Sequence, residues 1–225
     1  MRRKSNACHI YTLHIMAKED NKIKVLVFDL NKTFYNKSSK DEFFKFVVGK
    51  QPRQAKYYLQ MLYYKLLLLL HQIRKTEFKE NFFNYLDNLP PATVQTYARE
   101  FWAREFPANF NNKLLNHFTA SRENGVDLFC ATGGLELYVE PLFKMFPIDG
   151  FAGTRVEYQN NTYKVIGKAC KDEEKICRMD EYYKGTSYIV VEAYSDSKED
   201  ILDVAEKAFL VKDGEIKPYE KNGES

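Results

Sequence analysis

One segment sets the architecture of this chain: Ile23-Lys-Val-Leu-Val-Phe-Asp-Leu-Asn-Lys-Thr33. Its first six residues are mostly apolar and β-branched, which is typical of a strand buried in a parallel sheet. The apolar run ends at Asp29, and the polar group Asn31-Lys-Thr33 follows it. Because ligands of α/β proteins bind beyond the carboxyl ends of parallel strands, a strand that stops at a carboxylate indicates a candidate site.

Three later segments also predict strands. They are short apolar runs closed by polar or turn residues: Val126–Ala131 before Thr132-Gly-Gly134, Ser187–Ala193 before Tyr194-Ser-Asp-Ser197, and Ala208–Val211 before Asp213-Gly214. Helical patterns separate these strands along the chain. The alternation predicts an α/β fold with a Rossmann-like, mainly parallel sheet that carries helices on both faces.

The region between the first two strands is helical in pattern. Apolar residues recur at spacings of three and four in five segments: Asp41–Val48, Gln54–Ile73, Thr76–Leu86, Thr93–Phe106 and Asn109–Arg122. A β-hairpin is predicted further along, where Gln159-Asn-Asn161 separates two strand-like runs within residues 153–166. The sheet is therefore expected to carry an inserted α-helical domain and a small β-hairpin.

The composition limits the partners that the protein can have. The chain has 225 residues, 44% of them hydrophobic, which suits one core with an inserted lobe. Its formal net charge of +3 is too small to argue for nucleic acid or an anionic membrane surface as a partner. The longest apolar stretch, Tyr57–Leu70, includes Lys65 and is shorter than the ~20 residues that span a bilayer. A packed helix is expected there rather than stable membrane insertion, with a surface that touches membrane or a partner as the alternative.

The cysteines and the N-terminus indicate a cytoplasmic protein. Cys8, Cys130, Cys170 and Cys177 include no CxxC pair and no spacing typical of a zinc ribbon, so free thiols in a reducing compartment are expected. The basic residues at the start of the chain are not followed by a sustained apolar run, which argues against a signal peptide. Residues 1–22 are expected to form a loose extension with little role in the fold.

Polar side chains follow three of the predicted strands at the same edge of the sheet. They are Asp29 and Asn31 after the first strand, Thr132 and Gly133 after the second, and Asp196 and Asp200 after the third. Adjacent carboxylates repel each other unless a cation lies between them. Mg²⁺ prefers such hard oxygen ligands and keeps waters or substrate phosphate for its other positions. The pattern therefore predicts a Mg²⁺ site at this edge.

The same edge offers the groups that phosphoryl transfer needs. A carboxylate such as Asp29 can attack phosphorus and form an aspartyl-phosphate, and a metal lets the two anions approach each other. Thr132 and the backbone amides around Gly133 can bind phosphate oxygens. Lys175, on a helix that leads toward the third strand, would complete the anion site, with Lys168 as the other candidate.

Several of these residues also have a purely structural explanation. Thr132 could cap the helix that follows it, and Asp200 could cap the helix that begins near Lys198. Lys175 could be a solvated lysine on a helix surface. The sequence leaves these alternatives open.

Four motifs in order resemble those of the haloacid dehalogenase-like superfamily. Val25-Leu-Val-Phe-Asp-Leu-Asn-Lys-Thr33 is similar to its first motif, a hydrophobic strand followed by DxDxT, and Leu128-Phe-Cys-Ala-Thr-Gly-Gly134 is similar to its second. Glu174-Lys175 fits the third-motif lysine, and Tyr194-Ser-Asp-Ser-Lys-Glu-Asp200 is similar to the fourth motif, YSDSxxD. That form, together with Leu137-Tyr-Val-Glu-Pro-Leu142, resembles the phosphoserine phosphatase-like branch.

The resemblance implies a Mg²⁺-dependent hydrolase of phosphate monoesters that acts on a small phosphorylated metabolite. Residues 23–34 and 108–225 would form the α/β core, and residues 35–107 would form a helical cap that closes over the site. The implied roles are Asp29 as nucleophile and Mg²⁺ ligand, Asn31 as Mg²⁺ ligand through its backbone carbonyl, Thr132 with Gly133 as phosphate-binding residues, Lys175 as the neutralising cation, Asp196 as the acidic Mg²⁺ ligand, and Asp200 as the residue that orients the metal-bound water or Lys175. The resemblance implies no particular oligomeric state.

Asn31 occupies a catalytic position where the family has a second Asp, which protonates the leaving alcohol and then activates water. An amide exchanges no proton at neutral pH, and losing general acid–base help costs about 10²–10⁴-fold in rate. Three interpretations remain open: a slowed or specialised phosphatase, a catalytically impaired protein that binds phosphometabolites or partners, and an engineered change that traps a complex. Thr33 is retained, which favours a preserved loop geometry.

Overall fold

The apolar runs of the sequence form a six-stranded sheet in the computed structural model, which describes residues 22–70 and 83–221. The strands are β1 (Ile23–Phe28), β2 (Asp127–Leu135), β3 (Gly150–Thr154), β4 (Val156–Gln159), β5 (Thr162–Val165), β6 (Tyr188–Ser195), β7 (Lys207–Lys212) and β8 (Glu215–Pro218). The order across the large sheet is β3-β2-β1-β6-β7-β8, and its neighbouring strands are parallel except for β7 and β8. The predicted α/β, Rossmann-like fold is confirmed.

β1 lies in the middle of the strands that carry the candidate site. It pairs in parallel with β2 on one side, where Phe28 is level with Cys130. On the other side it pairs in parallel with β6, where Phe28 is level with Tyr194. Neighbouring strands lie about 4.8 Å apart. The carboxyl end of β1 therefore lies beside Cys130 of β2 and beside the carboxyl end of β6.

Helices fill the region between β1 and β2 and cover the sheet. The described α-helices are α1 (Ser39–Lys50), α2 (Lys56–Leu69), α3 (Pro91–Glu105), α4 (Asn112–Glu123), α5 (Glu136–Val139), α6 (Glu173–Tyr182) and α7 (Asp200–Asp203), and short 3₁₀ segments cover Pro52–Ala55, Asn84–Leu86 and Glu140–Lys144. α3 begins with Pro91, at a position where the missing N–H costs nothing. α4 begins where the side chain of Asn111 accepts hydrogen bonds from the backbone amides of Lys113 and Leu114.

The largest differences from the predicted boundaries lie in the helical insertion and in β2. The helix predicted from Gln54 begins as a 3₁₀ segment at Pro52, where proline sets the first turn, and α2 proper starts at Lys56. One helix was predicted to end at Ile73 and the next to cover residues 76–86. The end of the first and most of the second fall in residues 71–82, which lie outside the described residues. The end of the second of these helices, residues 84–86, is a 3₁₀ segment. β2 extends beyond Ala131 to Leu135, because its last residue pairs with Thr154 of β3 after a shift in register.

A hydrophobic layer lies on each face of the sheet, because the side chains of a strand alternate between its two sides. Phe28 belongs to the layer that includes Trp102 of α3. Val27 belongs to the layer that includes Met179 of α6 and Ile201 of α7. Each fully buried side chain of this size stabilises the fold by about 1.5–3 kcal/mol. In this alternation Asp29 follows Val27, which directs its carboxylate toward the side of the sheet that α6 covers.

The predicted β-hairpin is confirmed as β4 and β5. Asn160 and Asn161 form its turn with positive φ angles of 49° and 61°, a left-handed conformation that asparagine tolerates better than most residues. The turn contacts the helical insertion: the backbone amide of Asn88 donates to the carbonyl of Asn161 at 2.8 Å. The hydroxyl of Thr162 also donates to Asp87 at 2.7 Å. The hairpin therefore fastens the insertion to the strand-rich part of the chain.

The apolar stretch Tyr57–Leu70 forms most of α2, and several of its described side chains are exposed. Tyr58 stacks on Phe44 with 5.1 Å between ring centroids, whereas Leu59 and Leu69 are each 74% exposed. The expected packed helix is corrected to this extent, because more apolar side chains lie along α2 than its neighbouring layer covers. Within residues 22–70 and 83–221, no helix is long and apolar enough to cross a membrane.

Cys130 and Cys170 lie buried and form no disulfide. Burial raises the pKa of the Cys170 thiol to about 12 and that of Cys130 well above its ordinary value, so both are inert side chains of the core. Cys8 and the predicted loose extension, apart from Lys22, lie outside the described residues.

Candidate active site

Asp29 is held at the carboxyl end of β1 by the sheet itself. Its backbone amide donates to the carbonyl of Tyr194 at 2.9 Å, which continues the pairing of β1 with β6 by one residue. The side chain is buried, and its Oδ1 accepts a hydrogen bond from Nζ of Lys175 at 2.9 Å. The other carboxylate oxygen, Oδ2, accepts no hydrogen bond within the described part of the chain. Asp29 thus presents one oxygen atom for chemistry while the other is fixed.

Lys175 is a buried cation between two carboxylates. It lies on α6 and is 1% exposed, and its Nζ donates to Oδ1 of Asp29 at 2.9 Å and to Oε2 of Glu199 at 2.6 Å. Burial by itself lowers the pKa of this lysine, but the charges of Asp29 and Glu199 outweigh it and hold the pKa above its ordinary value. The alternative of a solvated helix lysine is wrong, and Lys168 lies exposed.

Glu199 is a site residue that the sequence analysis missed. Its side chain is 14% exposed, and Oε2 accepts hydrogen bonds from Lys175 at 2.6 Å and from the hydroxyl of Ser195 at 3.1 Å. Burial raises the pKa of Glu199, the ammonium of Lys175 lowers it, and the net shift is upward. The sequence did contain a sign of this residue, because Glu199 and Asp200 are adjacent and the loop could turn either side chain inward.

Asp200 lies outside this cluster. It is the first residue of the four-residue helix α7 and is exposed, and Glu199 is the residue next to it that reaches Lys175. The N-cap of α7 is Glu199, so the alternative of Asp200 as the capping residue is also wrong. The loop after β6 turns the side chains of Glu199 and Asp200 to different sides, so that only Glu199 contacts Lys175.

Thr132 lies in β2, where the pairing with β3 shifts its register, and beside the loop that follows β1. It is fully buried, and its Oγ1 accepts hydrogen bonds from the backbone amide of Gly134 at 3.2 Å and from Nδ2 of Asn31 at 3.3 Å. It does not cap the following helix, because the N-cap of α5 is Leu135. Thr132 instead uses its side-chain oxygen to bind Asn31 and Gly134.

Gly133 lets a lysine stem lie against the backbone of this loop. A Cβ atom at Gly133 would lie 2.8 Å from Cε of Lys171, closer than side-chain carbons approach. The carbonyl of Gly133 accepts a hydrogen bond from the hydroxyl of Thr154 at 3.1 Å. The loop is thus fixed on one side by β3 and covered on the other by Lys171.

Asn31 connects three segments through its side chain and backbone. Its Oδ1 accepts a hydrogen bond from the backbone amide of Ser39, the first residue of α1, at 2.7 Å, and its Nδ2 donates to Thr132. Its backbone carbonyl accepts from the hydroxyl of Thr33 at 3.5 Å. Lys32, between them, has a φ of 57°, a left-handed conformation that costs a non-glycine residue roughly 1–2 kcal/mol. The turn places the side chain of Asn31 between the sheet and the insertion.

Asp196 follows β6 at the neighbouring strand end. Because Phe28 is level with Tyr194, Asp29 is level with Ser195, and Asp196 comes one residue later. The two backbones are thus separated by about 5 Å across the sheet and about 3 Å along it. Oδ1 of Asp196 accepts from the hydroxyl of Ser197 at 3.3 Å, and its carbonyl accepts from the ammonium of Lys212. The side chain is half-buried.

The oxygen atoms at this edge form a donor set that suits Mg²⁺. The described residues contain no group of three His, Cys, Asp or Glu side chains that could enclose a metal. Mg²⁺ does not need one, because it binds through one or two carboxylates and keeps several waters or phosphate oxygens. Asp29 and Asp196 offer carboxylate oxygens and Asn31 offers a backbone carbonyl, which is the kind and number of protein ligands that Mg²⁺ takes.

Comparisons with known proteins bear on the family and the fold of the chain. The family model of haloacid dehalogenase-like hydrolases matches residues 26–202. No curated protein matches the chain in sequence.

Solved structures share the fold. A protein of unknown function from Bordetella pertussis Tohama I is 16% identical, with 83% of this chain and 89% of that chain covered and a TM-score of 0.68. A phosphoserine phosphohydrolase-like protein from Francisella tularensis is 18% identical, with 83% and 86% covered and a TM-score of 0.54. A phospho-aspartyl intermediate analogue of phosphoserine phosphatase is 14% identical, with 83% and 85% covered and a TM-score of 0.53.

Proposed function

Because the chain belongs to the haloacid dehalogenase-like hydrolase family, we propose that it is a Mg²⁺-dependent hydrolase of small phosphate monoesters. The reaction would pass through an aspartyl-phosphate on Asp29. The observation that carries this proposal is the buried group Asp29–Lys175–Glu199 at the carboxyl end of the central strand β1. An ionisable group that is buried and charge-paired in this way is typical of functional sites.

Asp29 is the nucleophile of the proposed reaction. Its free Oδ2 attacks the phosphorus atom in line with the ester oxygen, the new O–P bond forms, and the bond to the leaving alcohol breaks. The ammonium of Lys175, 2.9 Å from Oδ1, lowers the repulsion between the Asp29 carboxylate and the incoming phosphoryl group. Glu199 keeps this ammonium in place at 2.6 Å.

In the proposed reaction, neutral donors of β2 bind the phosphoryl oxygens. They are the hydroxyl of Thr132 and the backbone amide of Gly133, in the strand next to β1. Mg²⁺ bound by Asp29, Asp196 and the backbone carbonyl of Asn31 would supply charge neutralisation for the phosphoryl group.

Asn31 makes the proposed phosphatase slow. Its amide group carries no exchangeable acidic proton, so the leaving alkoxide takes its proton from water or from a substrate group. General acid–base help is worth about 10²–10⁴-fold, and that factor is lost at both the transfer and the hydrolysis step.

The proposed substrate is a small phosphorylated metabolite, and residues 35–107 are the proposed cap over it, with residues 23–34 and 108–225 as the core. The hairpin contacts of Asn161 and Thr162 with the insertion support a cap held close to the site. The buried free thiols of Cys130 and Cys170 support a cytoplasmic location.

The test is a phosphate-release assay with Mg²⁺ on a panel of phosphorylated amino acids, sugars and polyols. Asp29→Asn keeps the size of the side chain and should reduce turnover by more than about 10³-fold. The matched control is Asp213→Asn, the same chemical change in the exposed turn between β7 and β8, which should leave turnover unchanged. Turnover that survives in Asp29→Asn would exclude the proposed nucleophile.

A second candidate function, binding of a phosphometabolite without turnover, is favoured by one observation. Both polar atoms of the Asn31 side chain are engaged in hydrogen bonds to Ser39 and Thr132, which is a structural use of this catalytic position. This function predicts that the native chain binds phosphate esters without hydrolysis and that Asn31→Asp hydrolyses them. If Asn31→Asp is also inert across the panel, the phosphatase assignment fails.

A further inference from the structure

We propose that Asn31 is a positioning residue that turns the hydroxyl proton of Thr132 toward the substrate's phosphoryl group. This inference rests on the proposed function, because it concerns the same anion site. It gives Asn31 a role of its own, beyond the loss of the acid–base group that the family has at this position.

The orientation of the Asn31 amide is fixed by its partner on α1. The backbone N–H of Ser39 can only donate, so the atom that it contacts at 2.7 Å must be the acceptor Oδ1. The other side-chain atom, which lies 3.3 Å from Oγ1 of Thr132, is therefore Nδ2, and Nδ2 can only donate.

The Thr132 hydroxyl is thereby left with a proton and no free lone pair. Its Oγ1 accepts from Nδ2 of Asn31 and, at 3.2 Å, from the backbone amide of Gly134. A hydroxyl oxygen has two lone pairs and one proton. Both lone pairs are engaged, so the proton is available only to an additional acceptor, and an ionised phosphoryl oxygen is such an acceptor.

Burial keeps this arrangement in one state. Thr132 and Ser39 are both fully buried. The hydroxyl of Ser39 shares a 3.2 Å hydrogen bond with the hydroxyl of Tyr138, which is fully buried as well. The loop after β1, the end of β2 and the start of α1 are therefore joined by polar contacts that water cannot readily replace.

A carboxylate at position 31 would reverse the hydroxyl. One oxygen of an Asp side chain could still accept from Ser39, but the other has no proton to donate and would accept the proton of Thr132 instead. The Thr132 hydroxyl would then donate its proton to the carboxylate at position 31 and no longer to phosphate. An amide at position 31 thus favours anion binding by Thr132, whereas a carboxylate there favours proton transfer.

The test measures the binding of inorganic phosphate, in the presence of Mg²⁺, by titration calorimetry on the full chain. Four proteins form a cycle: the native chain, Asn31→Asp, Thr132→Val and the double variant. Asn31→Asp should weaken phosphate binding about 10- to 100-fold, the usual loss for one hydrogen bond to a charged group. In the Thr132→Val background the same change should weaken it at least threefold less, because no hydroxyl remains to be reversed.

The cycle separates this effect from simple charge repulsion, which acts in both backgrounds. Thr132→Ser is the matched control, since it keeps the hydroxyl and should keep the full effect of Asn31→Asp. Thermal unfolding of each variant shows that it is folded. An equal loss in the two backgrounds overturns the positioning role while leaving the proposed phosphatase intact. A native chain that binds no phosphate with Mg²⁺ overturns both.

Discussion

The ammonium of Lys175 lies 2.9 Å from the carboxylate of Asp29, although 146 positions separate the two residues along the chain. β1 delivers the aspartate at its carboxyl end, and α6 covers that face of the sheet and delivers the lysine. Glu199 closes the group from the loop after β6. The contact joins the first and third sequence motifs in one buried ion pair.

Lys175→Met should destabilise the protein by about 3–5 kcal/mol, because it leaves the carboxylates of Asp29 and Glu199 buried without a cation. Chemical denaturation at neutral pH measures this loss. Lys184→Met is the matched control, since Lys184 is exposed, and it should change stability by less than about 0.5 kcal/mol. A loss no larger than that of the control would show that the pair does not stabilise the fold.

The contribution of Lys175 should persist into the alkaline range. Burial lowers its pKa, but Asp29 and Glu199 raise it further, so the pKa in the folded protein lies above the ordinary 10.5. A group with a raised pKa contributes its full stabilisation below its unfolded pKa and loses it as the pH rises through the folded one. The difference in unfolding free energy between the native chain and Lys175→Met should thus be constant between about pH 7 and pH 10 and shrink only at higher pH.

Glu199→Gln should lower turnover about tenfold or more, because it removes the charge that holds Lys175 beside Asp29. Asp200→Asn should change it less than about threefold, since Asp200 is exposed on α7. Steady-state kinetics give the turnover of both variants. They compare Glu199, which contacts Lys175, with Asp200, which the fourth motif implies. A larger loss in Asp200→Asn would return the role to Asp200.

Asn31→Asp should raise both kcat and KM. The introduced carboxylate is ionised in the free enzyme and accepts the Thr132 proton, whereas its protonated form can pass a proton to the leaving alcohol, which raises kcat by as much as about 10²–10⁴-fold. The reversed Thr132 hydroxyl weakens phosphoryl binding, which raises KM. Measurement of both constants on one phosphate ester checks the split, and a fall in KM would contradict the reversal.

Asp196→Asn should raise the Mg²⁺ concentration for half-maximal turnover by about tenfold or more, because it removes one of two proposed carboxylate ligands. Removal of Mg²⁺ with EDTA should stop turnover in the native chain, and added Mg²⁺ should restore it. Ser197→Ala, which removes the hydroxyl next to Asp196, is the control for a local change in the loop. An unchanged Mg²⁺ requirement in Asp196→Asn would remove it from the ligand set.

Several features of the fold were accessible from local pattern alone. The run that ends at Phe28 predicts β1, and the Asn160-Asn161 turn predicts the hairpin, because apolar runs and left-handed turn residues act over a few neighbouring positions. The end of β2 was not accessible in this way. Leu135 belongs to the strand only because Thr154 pairs with it, and that partner comes from a distant segment.

The amino-acid sequence alone determined which polar residues follow the apolar runs, Asp29, Thr132 and Asp196, because the hydrophobic pattern acts over a few neighbouring positions. Only the tertiary structure decided that Glu199 rather than Asp200 reaches Lys175, and that Asn31 donates to Thr132. These choices depend on the rotation of a loop and on the direction of single hydrogen bonds. Such directions are fixed by packing against other segments, 24 positions away for Glu199 and Lys175 and 101 positions away for Asn31 and Thr132, which no local pattern encodes.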